Sequence, residues 1–501
     1  MGGEKGEGLL GTGGLLCLLG YLALMLTLGW AGYRARREHS LADFYLGGRG
    51  LGLAVLFLTL YATQYSGNTL LGFVGQAYRN GFTFLVSVTF MMAVVGAYLV
   101  YAPRLHRLAH QRGYITMGDY VQDRFGDRRL TVLASLLGVA ALANYVLTNL
   151  KVLGELTEMI SGGRISYTWG VILLAAVMVV YEAAGGMRAV AWTDVAQGLV
   201  LLVGVVVIFA ALQTLSGGMG AAGELIAEQR PDFYPAPSAS QKTTWLSTLV
   251  LVFAGISMYP HAIQRIYAAR DARVLRRSLQ LMVFMPLFTT LLMVTLGILG
   301  TARLPALDGS ESDRVTLLLL EDLVENSPGL RWMVLLFVGA IVAGTMSTVD
   351  SSMLAISSQL TRDVYQPWSK VTDERRLSAW AKVSSVVLTA VVVGLTLILR
   401  ERNIWALIEI KLELLCQVAP AVLVGLHWRN MRSGPVLAGM FVGTLLALTL
   451  MMGAWQGLAW VSDKPLGVHA GVWGLGVNLA IAVGGSLWLR PGRAGAFRAE
   501  G

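Results

Sequence analysis

A group of hydroxyl and carboxyl side chains, GTMSTVDSS at residues 344–352, lies within an otherwise apolar segment. Gly344, Ser347 and Thr348 are spaced i, i+3 and i+4, so a helix places them on one face. Hard cations bind several oxygen ligands, and two hydroxyls beside a glycine that admits another backbone predict half of a cation site. Each hydroxyl has a structural alternative as well, because serine and threonine in membrane helices often bond their own backbone or link helices.

Two carboxyl groups in apolar segments are further candidates. Asp194 lies about one turn into a segment whose basic start is Arg188, within AAGGMRAVAWTDVAQG. A carboxylate in such a place usually faces a partner or a water-filled path, although snorkelling or pairing with Arg188 would also satisfy it. Asp350 follows Ser347 within one turn.

The composition places these residues in a membrane protein. Of the 501 residues 55% are apolar and 14% charged, with a mean hydropathy of +0.62, which a soluble chain could hardly bury. A membrane-spanning helix needs about 20 mostly apolar residues. The sequence predicts an all-α protein with about thirteen such segments: 9–33, 51–78, 82–102, 130–160, 165–183, 189–215, 244–266, 278–302, 331–360, 378–399, 404–427, 434–453 and 467–489.

The net charge of +9 follows the predicted topology and does not indicate nucleic-acid binding. With the N-terminus outside, inside-facing segments hold 26 of the 39 Lys and Arg residues, five of them in 265–277. Cationic residues concentrate on the cytoplasmic side of membrane proteins. We therefore expect a multi-pass protein of the cell (inner) membrane with a retained first helix and a cytoplasmic C-terminus. Its partners are the lipid bilayer and a small-molecule substrate.

Two predicted spans are interrupted at corresponding places. The segment 51–78 contains SGN at 66–68, and the segment 244–266 contains AGISMYPH at 254–261. Each begins a block of five spans, and an odd number of spans gives the blocks opposite orientations. Paired broken helices in inverted repeats indicate a binding site near the membrane midplane, because unwound backbone survives there only where it lines a cavity.

These breaks define the expected domain organisation. An extra N-terminal helix and a basic loop occupy residues 1–45, and an inverted-repeat core occupies 46–428, with repeats at 46–215 and 244–428. Residues 429–501 form two additional helices and a short cytoplasmic tail.

Four separated motifs resemble the sodium:solute symporter family. They are LGGRGLG at 46–52, GGMRAVAWTDVAQG at 185–198, YPHAIQRIYAARD at 259–271 and GTMSTVDSSMLAISSQLTRDVY at 344–365. The resemblance implies a leucine-transporter-like fold of two inverted five-helix repeats and Na⁺-driven alternating access. It also implies that Na⁺ is held by backbone carbonyls of Ala62, Tyr65 and Gly344 and by the hydroxyls of Ser347 and Thr348. Asp194 then matches the family's acidic residue near that site, which in some members helps to hold a second sodium with the same hydroxyls or assists sodium release inward. Asp350 matches a frequent but not universal family residue, and we assign it to an inner exit path.

The substrate is less constrained. The resemblance places substrate contacts at the two broken helices, and the candidates are Gln64, Ser66, Asn68, Thr69, Ile256, Tyr259 and Pro260. The proline-transporting branch carries an aspartate where this chain has Gln64, and aromatic residues where it has Val252 and Ile256, which argues against proline. Lys151 is a candidate for a substrate carboxylate, with an ion pair to Glu155 as its structural alternative. A carboxylate-bearing or zwitterionic solute is therefore favoured, and sugars and polyols stay open.

Three functional classes were compared. A Na⁺-coupled symporter of a small organic solute is the first, with H⁺ coupling as a variant. A channel or solute sensor that keeps the symporter fold is the second; a signalling domain would then follow the last span or come from a partner chain. A membrane-embedded enzyme is the third, and no zinc-ligand spacing, phosphate loop or Ser/His/Asp set in the sequence supports it.

Overall fold

The computed structural model describes residues 11–34, 40–233, 236–304, 307–309, 311–455 and 462–489. Parts of both expected terminal domains lie outside the described residues: 1–10 and 35–39 in the first, and 456–461 and the C-terminal tail from 490 in the last. Short 3₁₀ and π turns connect 21 helices in the described part of the chain. The helices of the first half are α1 Gly11–Arg34, α2 Leu41–Leu46, α3 Leu53–Gln64, α4 Phe73–Asn80, α5 Ser87–Arg112, α6 Met117–Phe125, α7 Arg128–Ile160, α8 Tyr167–Leu215 and α9 Gly218–Gln229. Those of the second half are α10 Ala239–Ile256, α11 Pro260–Ala268, α12 Ala272–Met282, α13 Leu291–Gly300, α14 Val315–Asn326, α15 Arg331–Gln359, α16 Gln366–Ser369, α17 Glu374–Ile398, α18 Ile404–Leu415, α19 Gly425–His427, α20 Ser433–Trp455 and α21 Ala470–Trp488.

The all-helical membrane architecture is confirmed, but the count of thirteen spans is not. In the described ranges, eight helices are long and apolar enough to cross a membrane, or nine if the bent pair α10–α11 counts as one span. Several predicted spans consist of shorter pieces, because α3, α18 and the first part of α8 each end or bend before reaching a full span length. Large apolar side chains such as Val180, Ile398 and Leu487 are exposed, as expected for surfaces that face lipid.

The helix α8 joins two predicted segments through one glycine. Gly186 has φ 61° and ψ −160°, a conformation that L-residues rarely adopt. A Cβ at this position would lie 2.7 Å from the carbonyl oxygen of Phe44 in α2. The bend therefore needs glycine, and it separates the predicted spans 165–183 and 189–215 at the expected place.

Both interrupted helices are present. The first interruption separates α3 from α4, with extended backbone at Tyr65 (φ −105°, ψ 105°) followed by a π turn at Asn68–Gly72. The second separates α10 from α11 by a bend of 52°, and Pro260 is the first residue of α11, where its missing N–H costs no helical hydrogen bond. The division into two inverted repeats stays a prediction.

The two broken helices are joined at their predicted inner ends. Leu51 and Ala269 form an isolated parallel β-bridge. The N–H of Leu51 donates to the carbonyl of Ala268 at 3.1 Å, and the N–H of Arg270 donates to the carbonyl of Leu51 at 3.0 Å. The start of α3 and the end of α11 are thereby held together by backbone bonds.

Candidate functional site

The break after α3 releases backbone carbonyls from the helical ladder. In a continuous helix the amides of residues 67, 68 and 69 would bond the carbonyls of Thr63, Gln64 and Tyr65. Instead, Gly67 N–H donates to Asn149 Oδ1 at 3.2 Å, Asn68 N–H to Ser66 Oγ at 3.3 Å, and Thr69 N–H to the Ser66 carbonyl at 2.9 Å. Carbonyl oxygens freed in this way are the ligand type that an alkali cation binds.

The polar face of α15 lies against this break. A Cβ at Gly344 would lie only 3.1 Å from the carbonyl oxygen of Tyr65, so glycine permits the close approach of the two backbones. Ser347 is fully buried, and its hydroxyl donates to Asp194 Oδ1 at 2.5 Å. The hydroxyl of Thr348 donates to the Gly344 carbonyl at 2.9 Å, which is the backbone bond anticipated as its structural alternative. The structure thus brings Gly344 against the Tyr65 carbonyl and places the Ser347 and Thr348 hydroxyls on the following turn of α15. Oxygen donors of these kinds fit a small hard cation, and the complete set with Ala62 stays a prediction.

Asp194 lies at the centre of a buried network that joins four helices. Its Oδ2 accepts a hydrogen bond from Arg265 Nη2 at 2.8 Å and another from the Thr59 hydroxyl. Both charged side chains are 0% exposed. Arg265 also donates to Thr59 Oγ1 at 2.8 Å, to the His261 carbonyl at 3.0 Å and to the Ser351 hydroxyl. The network links α3, α8, α11 and α15, so the carboxylate is neutralised and held in place by its neighbours.

Arg265 is the residue that sequence reasoning missed. The charge count placed it in the inner basic loop, whereas it lies in α11, one turn after His261. The alternative pairing of Asp194 with Arg188 does not occur, since Arg188 Nη2 lies 2.6 Å from Asp43 Oδ1. A signal was available, because Arg265 belongs to the motif YPHAIQRIYAARD and is preceded by apolar and amide residues and not by other charges.

A cavity lies at the same break and contains most of the predicted substrate residues. Its volume is about 40 Å³, enough for a few water molecules. The predicted residues that line it are Gln64, Ser66, Asn68, Thr69, Ile256 and Tyr259, and the lining residues not predicted to contact the substrate are Phe73, Phe90, Met91, Tyr145, Val252, Trp405, Ile408, Lys411 and Leu412. Tyr145 and Tyr259 stack with ring centroids 5.1 Å apart.

Three other candidates do not line this cavity: Lys151, Pro260 and Asp350. Lys151 donates to the carbonyl of Arg402, and its expected partner Glu155 pairs instead with Arg314 and Arg400, at 3.7 and 3.4 Å. Pro260 initiates α11 and does not line the cavity.

Asp350 lines a separate cavity. It borders a space of about 10 Å³ among side chains of α7, α8 and α17, including Val146, Met178 and Thr389. This position differs from that of Ser347, whose hydroxyl reaches Asp194. The two residues therefore face different neighbours, although they are separated by less than one turn of α15.

Polar contacts connect helices on both sides of the cavity. At the predicted outer end, Asp313 Oδ2 accepts from the N–H of Ile404 at 2.6 Å, and Asp313 Oδ1 lies 3.4 Å from Arg79 Nη1. We call Arg79, Asp313 and Ile404 the outer cluster. Burial raises the pKa of the Asp313 carboxyl, against the opposing effects of the Ile404 N–H and Arg79.

The contacts at the predicted inner end centre on another carboxyl group. Asp363 Oδ1 accepts from the Thr116 hydroxyl at 2.6 Å, and its Oδ2 accepts from the Ser135 hydroxyl at 2.7 Å. We call Asp363, Thr116 and Ser135 the inner cluster. It joins the end of α15 to α6 and α7.

Solved structures with the same fold are membrane transporters. A Na⁺-coupled sialic acid symporter, solved in a substrate-bound outward-open state, superposes with a TM-score of 0.78 at 21% identity, covering 95% of this chain and 98% of that one. Mhp1, a nucleobase-cation-symport-1 family transporter in a closed conformation with bromovinylhydantoin bound, gives a TM-score of 0.56 at 13% identity, covering 89% and 94%. At these identities the likeness establishes the helical transporter fold.

The sequence comparisons establish the family. The profile of the sodium:solute symporter family matches residues 44–443, and the chain belongs to this family. An uncharacterized symporter of Bacillus subtilis (strain 168) is 29% identical over 451 residues, which cover 87% of this chain and 89% of the relative. A sodium/proline symporter of Staphylococcus aureus (strain bovine RF122 / ET3-1) is 25% identical over 471 residues, covering 91% and 87%.

The expected class is therefore confirmed. The protein is a multi-pass membrane symporter with Na⁺ as the family's coupling ion, and the family consists of transporters and not of enzymes.

Proposed function

We propose that this protein couples Na⁺ entry to the uptake of a small organic solute by alternating access. The observation that carries the proposal is the position of the α3 break. It brings the Tyr65 carbonyl against Gly344 of α15 and also forms one wall of the cavity. An ion and a solute bound at the same unwound segment would each favour the same backbone conformation, which provides a direct route for coupling.

The Na⁺ site of this proposal combines the carbonyls of Ala62, Tyr65 and Gly344 with the hydroxyls of Ser347 and Thr348. Asp194 acts beside it by holding the Ser347 hydroxyl. Because Arg265 already neutralises Asp194, a second cation on this carboxylate would meet electrostatic repulsion. One Na⁺ at the carbonyl and hydroxyl site is therefore favoured. Asp350 is assigned to the inner exit path.

Alternating access requires the cavity to open to one side at a time. The inner and outer clusters lie at opposite predicted ends of the core, and each joins helices through buried carboxylate contacts. Breaking one set of contacts at a time would open one end. In this scheme the N-terminus lies on the outer side of the cell membrane and the C-terminus on the cytoplasmic side, as the distribution of Lys and Arg predicts.

The solute is proposed to be carboxylate-bearing or zwitterionic. Relatives include sodium/proline symporters, and a structural neighbour is a sialic acid symporter; proline and sialic acid both carry a carboxylate. The three positions that depart from the proline-transporting pattern, Gln64, Val252 and Ile256, all line the cavity. The solute is therefore proposed to differ from proline where these side chains contact it.

Uptake into proteoliposomes tests the coupling. An imposed Na⁺ gradient is expected to drive accumulation of at least one solute from a panel of labelled carboxylates, amino acids and sugars, and an H⁺ gradient alone is not. Accumulation driven by H⁺ without Na⁺ would overturn Na⁺ coupling. Downhill flux without accumulation would indicate a channel, and Na⁺-dependent solute binding without flux would indicate a sensor.

Removing the two hydroxyls of α15 tests the Na⁺ site. The double variant Ser347→Ala, Thr348→Ala is expected to raise the Na⁺ concentration for half-maximal uptake by about 10-fold or more. Each lost hydroxyl–Na⁺ contact is taken as comparable to a hydrogen bond to a charged group, about 1.5–3 kcal/mol. The maximal substrate capacity is expected to change less. The matched control is Ser352→Ala on the same helix, because the buried Ser352 hydroxyl has no hydrogen-bond partner among the described residues. Unchanged Na⁺ affinity in the double variant would refute the assignment of α15.

A further inference from the structure

Lys411 of α18 is buried, as Lys151 is, but Lys411 lines the cavity and Lys151 does not. Lys411 is 2% exposed, and it lines the cavity at the α3 break. Its Nζ lies 3.5 Å from the ring centroid of Tyr145 and 5.8 Å from that of Tyr259. Cation–π contacts of this kind stabilise a desolvated ammonium by about 2 kcal/mol, which offsets only part of the cost of burying a charge.

Neither acidic neighbour in the sequence neutralises Lys411. Glu409 Oε1 accepts from Lys464 Nζ at 2.8 Å and from Trp405 Nε1 at 2.7 Å. Glu413 Oε1 lies 3.5 Å from His469 Nδ1. Within the part of the chain that the structure describes, no hydrogen bond or salt bridge involves Lys411 Nζ. A buried lysine without a counter-charge either loses its proton or is held charged by an anion from elsewhere, and a substrate carboxylate in the cavity would be such an anion.

A second polar side chain in the same cavity also lacks partners. Asn68 is 4% exposed and lines the cavity. Neither its Oδ1 nor its Nδ2 has a hydrogen-bond partner among the described residues. A buried amide without partners costs about 1–3 kcal/mol, so an occupant that accepts a hydrogen bond from Nδ2 would stabilise the site.

We propose that Lys411 and Asn68 bind the carboxylate of a small organic monoanion that carries no free amino group. This inference rests on the proposed symport function and specifies the substrate class of its cavity. The ammonium supplies the charge and the amide supplies an N–H donor, and charge-assisted hydrogen bonds of this type are about twice as strong as neutral ones.

The remaining lining favours a monoanion over a zwitterion. No Asp or Glu is among the described residues that line the cavity, so a substrate ammonium would find no carboxylate and would be repelled by Lys411. Phe73, Phe90, Met91 and Ile408 provide apolar contacts for the rest of the molecule. The small cavity volume favours a short carbon skeleton.

Uptake and binding of solutes matched in shape test this inference. The full-length protein in proteoliposomes is assayed with propionate, pyruvate, butyrate and benzoate, with propionamide as a neutral analogue and alanine as a zwitterion. Na⁺-driven accumulation is expected for at least one monoanion and not for the amide or the zwitterion. Accumulation of alanine, other amino acids or sugars in place of the monoanions would overturn the inference while leaving Na⁺ symport intact. Absence of Na⁺-driven uptake for every solute tested, amino acids and sugars included, would instead refute the proposed function.

Variants of Lys411 assign the carboxylate contact. Lys411→Met is expected to raise the half-saturating monoanion concentration by about 10- to 100-fold, as for loss of one hydrogen bond to a charged group. Lys411→Arg is expected to recover part of the affinity. The matched control Lys464→Met removes the lysine that bonds Glu409 of α18. It is expected to leave monoanion affinity within about threefold, since Lys464 does not line the cavity and partly exposed ion pairs contribute little. Na⁺-induced thermal stabilisation, measured without solute, reports whether each variant folds and binds the ion.

Asn68→Asp provides a second, independent test. A carboxylate at position 68 would repel the substrate anion and neutralise Lys411, so monoanion uptake is expected to fall at least 10-fold while Na⁺-induced stabilisation persists. This variant and Lys411→Arg decide the question if Lys411→Met fails to fold. Full monoanion affinity in Lys411→Met, or in Asn68→Asp, would overturn the inference.

Discussion

Replacing Asp194 with asparagine is expected to abolish Na⁺-driven uptake and to lower the free energy of unfolding by about 3–5 kcal/mol. Arg265 would remain buried without an anion, keeping only Thr59, Ser351 and the His261 carbonyl as partners. Since the network joins four helices around the proposed Na⁺ site, the loss affects both folding and the position of the Ser347 hydroxyl. Uptake in proteoliposomes and thermal unfolding in detergent measure the two effects.

A double variant separates the structural role of the pair from its role in transport. Arg265→Met alone leaves Asp194 buried without a cation and is expected to destabilise the protein by a similar amount. In Asp194→Asn, Arg265→Met both charges are absent, and most of the stability is expected to return, because a buried ion pair is often replaceable by neutral residues. Na⁺-driven uptake is expected to stay lost.

The matched control for this cycle is a partly exposed ion pair at the predicted outer end. Arg303 Nε lies 2.6 Å from Asp322 Oδ2, with side chains 22% and 21% exposed. Asp322→Asn is expected to change stability by about 1 kcal/mol or less. Normal stability and Na⁺-driven uptake in Asp194→Asn would show that the buried pair is dispensable, contrary to the role assigned to it here.

Local backbone signals in the sequence were reliable predictors of the fold. SGN at 66–68 and Pro260 identified both helix breaks, because interruption of a helix depends on residues at the break itself. Family motifs also identified Gly344, which lies against the first break, and Ser347, which bonds Asp194. The number of spans was predicted less well, because a broken or bent span is divided into helices too short to count as crossings by themselves.

The partners of buried charges were not predictable in the same way. Lys151 and Lys411 have similar sequence contexts, since each lies in an apolar segment near glutamates. The rotation and depth of α7 and α18 distinguish them: Lys151 reaches a carbonyl at the predicted outer end, whereas Lys411 faces the cavity. Arg265 was missed for the same reason, because its partner Asp194 is 71 residues away and meets it only after the helices pack.

Weakening the outer and inner clusters separately is expected to shift the access equilibrium in opposite directions. Asp313→Ala removes the acceptor of the Ile404 N–H and the partner of Arg79, which favours the outward-open state. Asp363→Ala removes the acceptor of the Thr116 and Ser135 hydroxyls, which favours the inward-open state. Hydrogen bonds to charged groups contribute about 1.5–3 kcal/mol, so each variant is expected to change the equilibrium by about 10-fold or more.

The accessibility of one cavity residue measures this shift. Thr69, which lines the cavity, is replaced by cysteine in a background of Cys17→Ser and Cys416→Ala. Right-side-out vesicles are then treated with a membrane-impermeant thiol reagent. Labelling of position 69 is expected to be faster in Asp313→Ala and slower in Asp363→Ala than in the background protein, with the order reversed in inside-out vesicles.

Carboxylates whose partners among the described residues are local provide the controls at each end. Asp232, at the predicted outer side, pairs with Arg230 two residues away, and Asp373, at the predicted inner side, pairs with Arg376. Alanine at either position is expected to leave the labelling rate unchanged, because neither ion pair connects distant helices. Shifts of the same sign in Asp313→Ala and Asp363→Ala would contradict the assignment of the clusters to opposite ends of the transport pathway. Slower labelling in Asp313→Ala and faster labelling in Asp363→Ala, in right-side-out vesicles, would show that the predicted membrane orientation is reversed. The two clusters would still close opposite ends of the pathway.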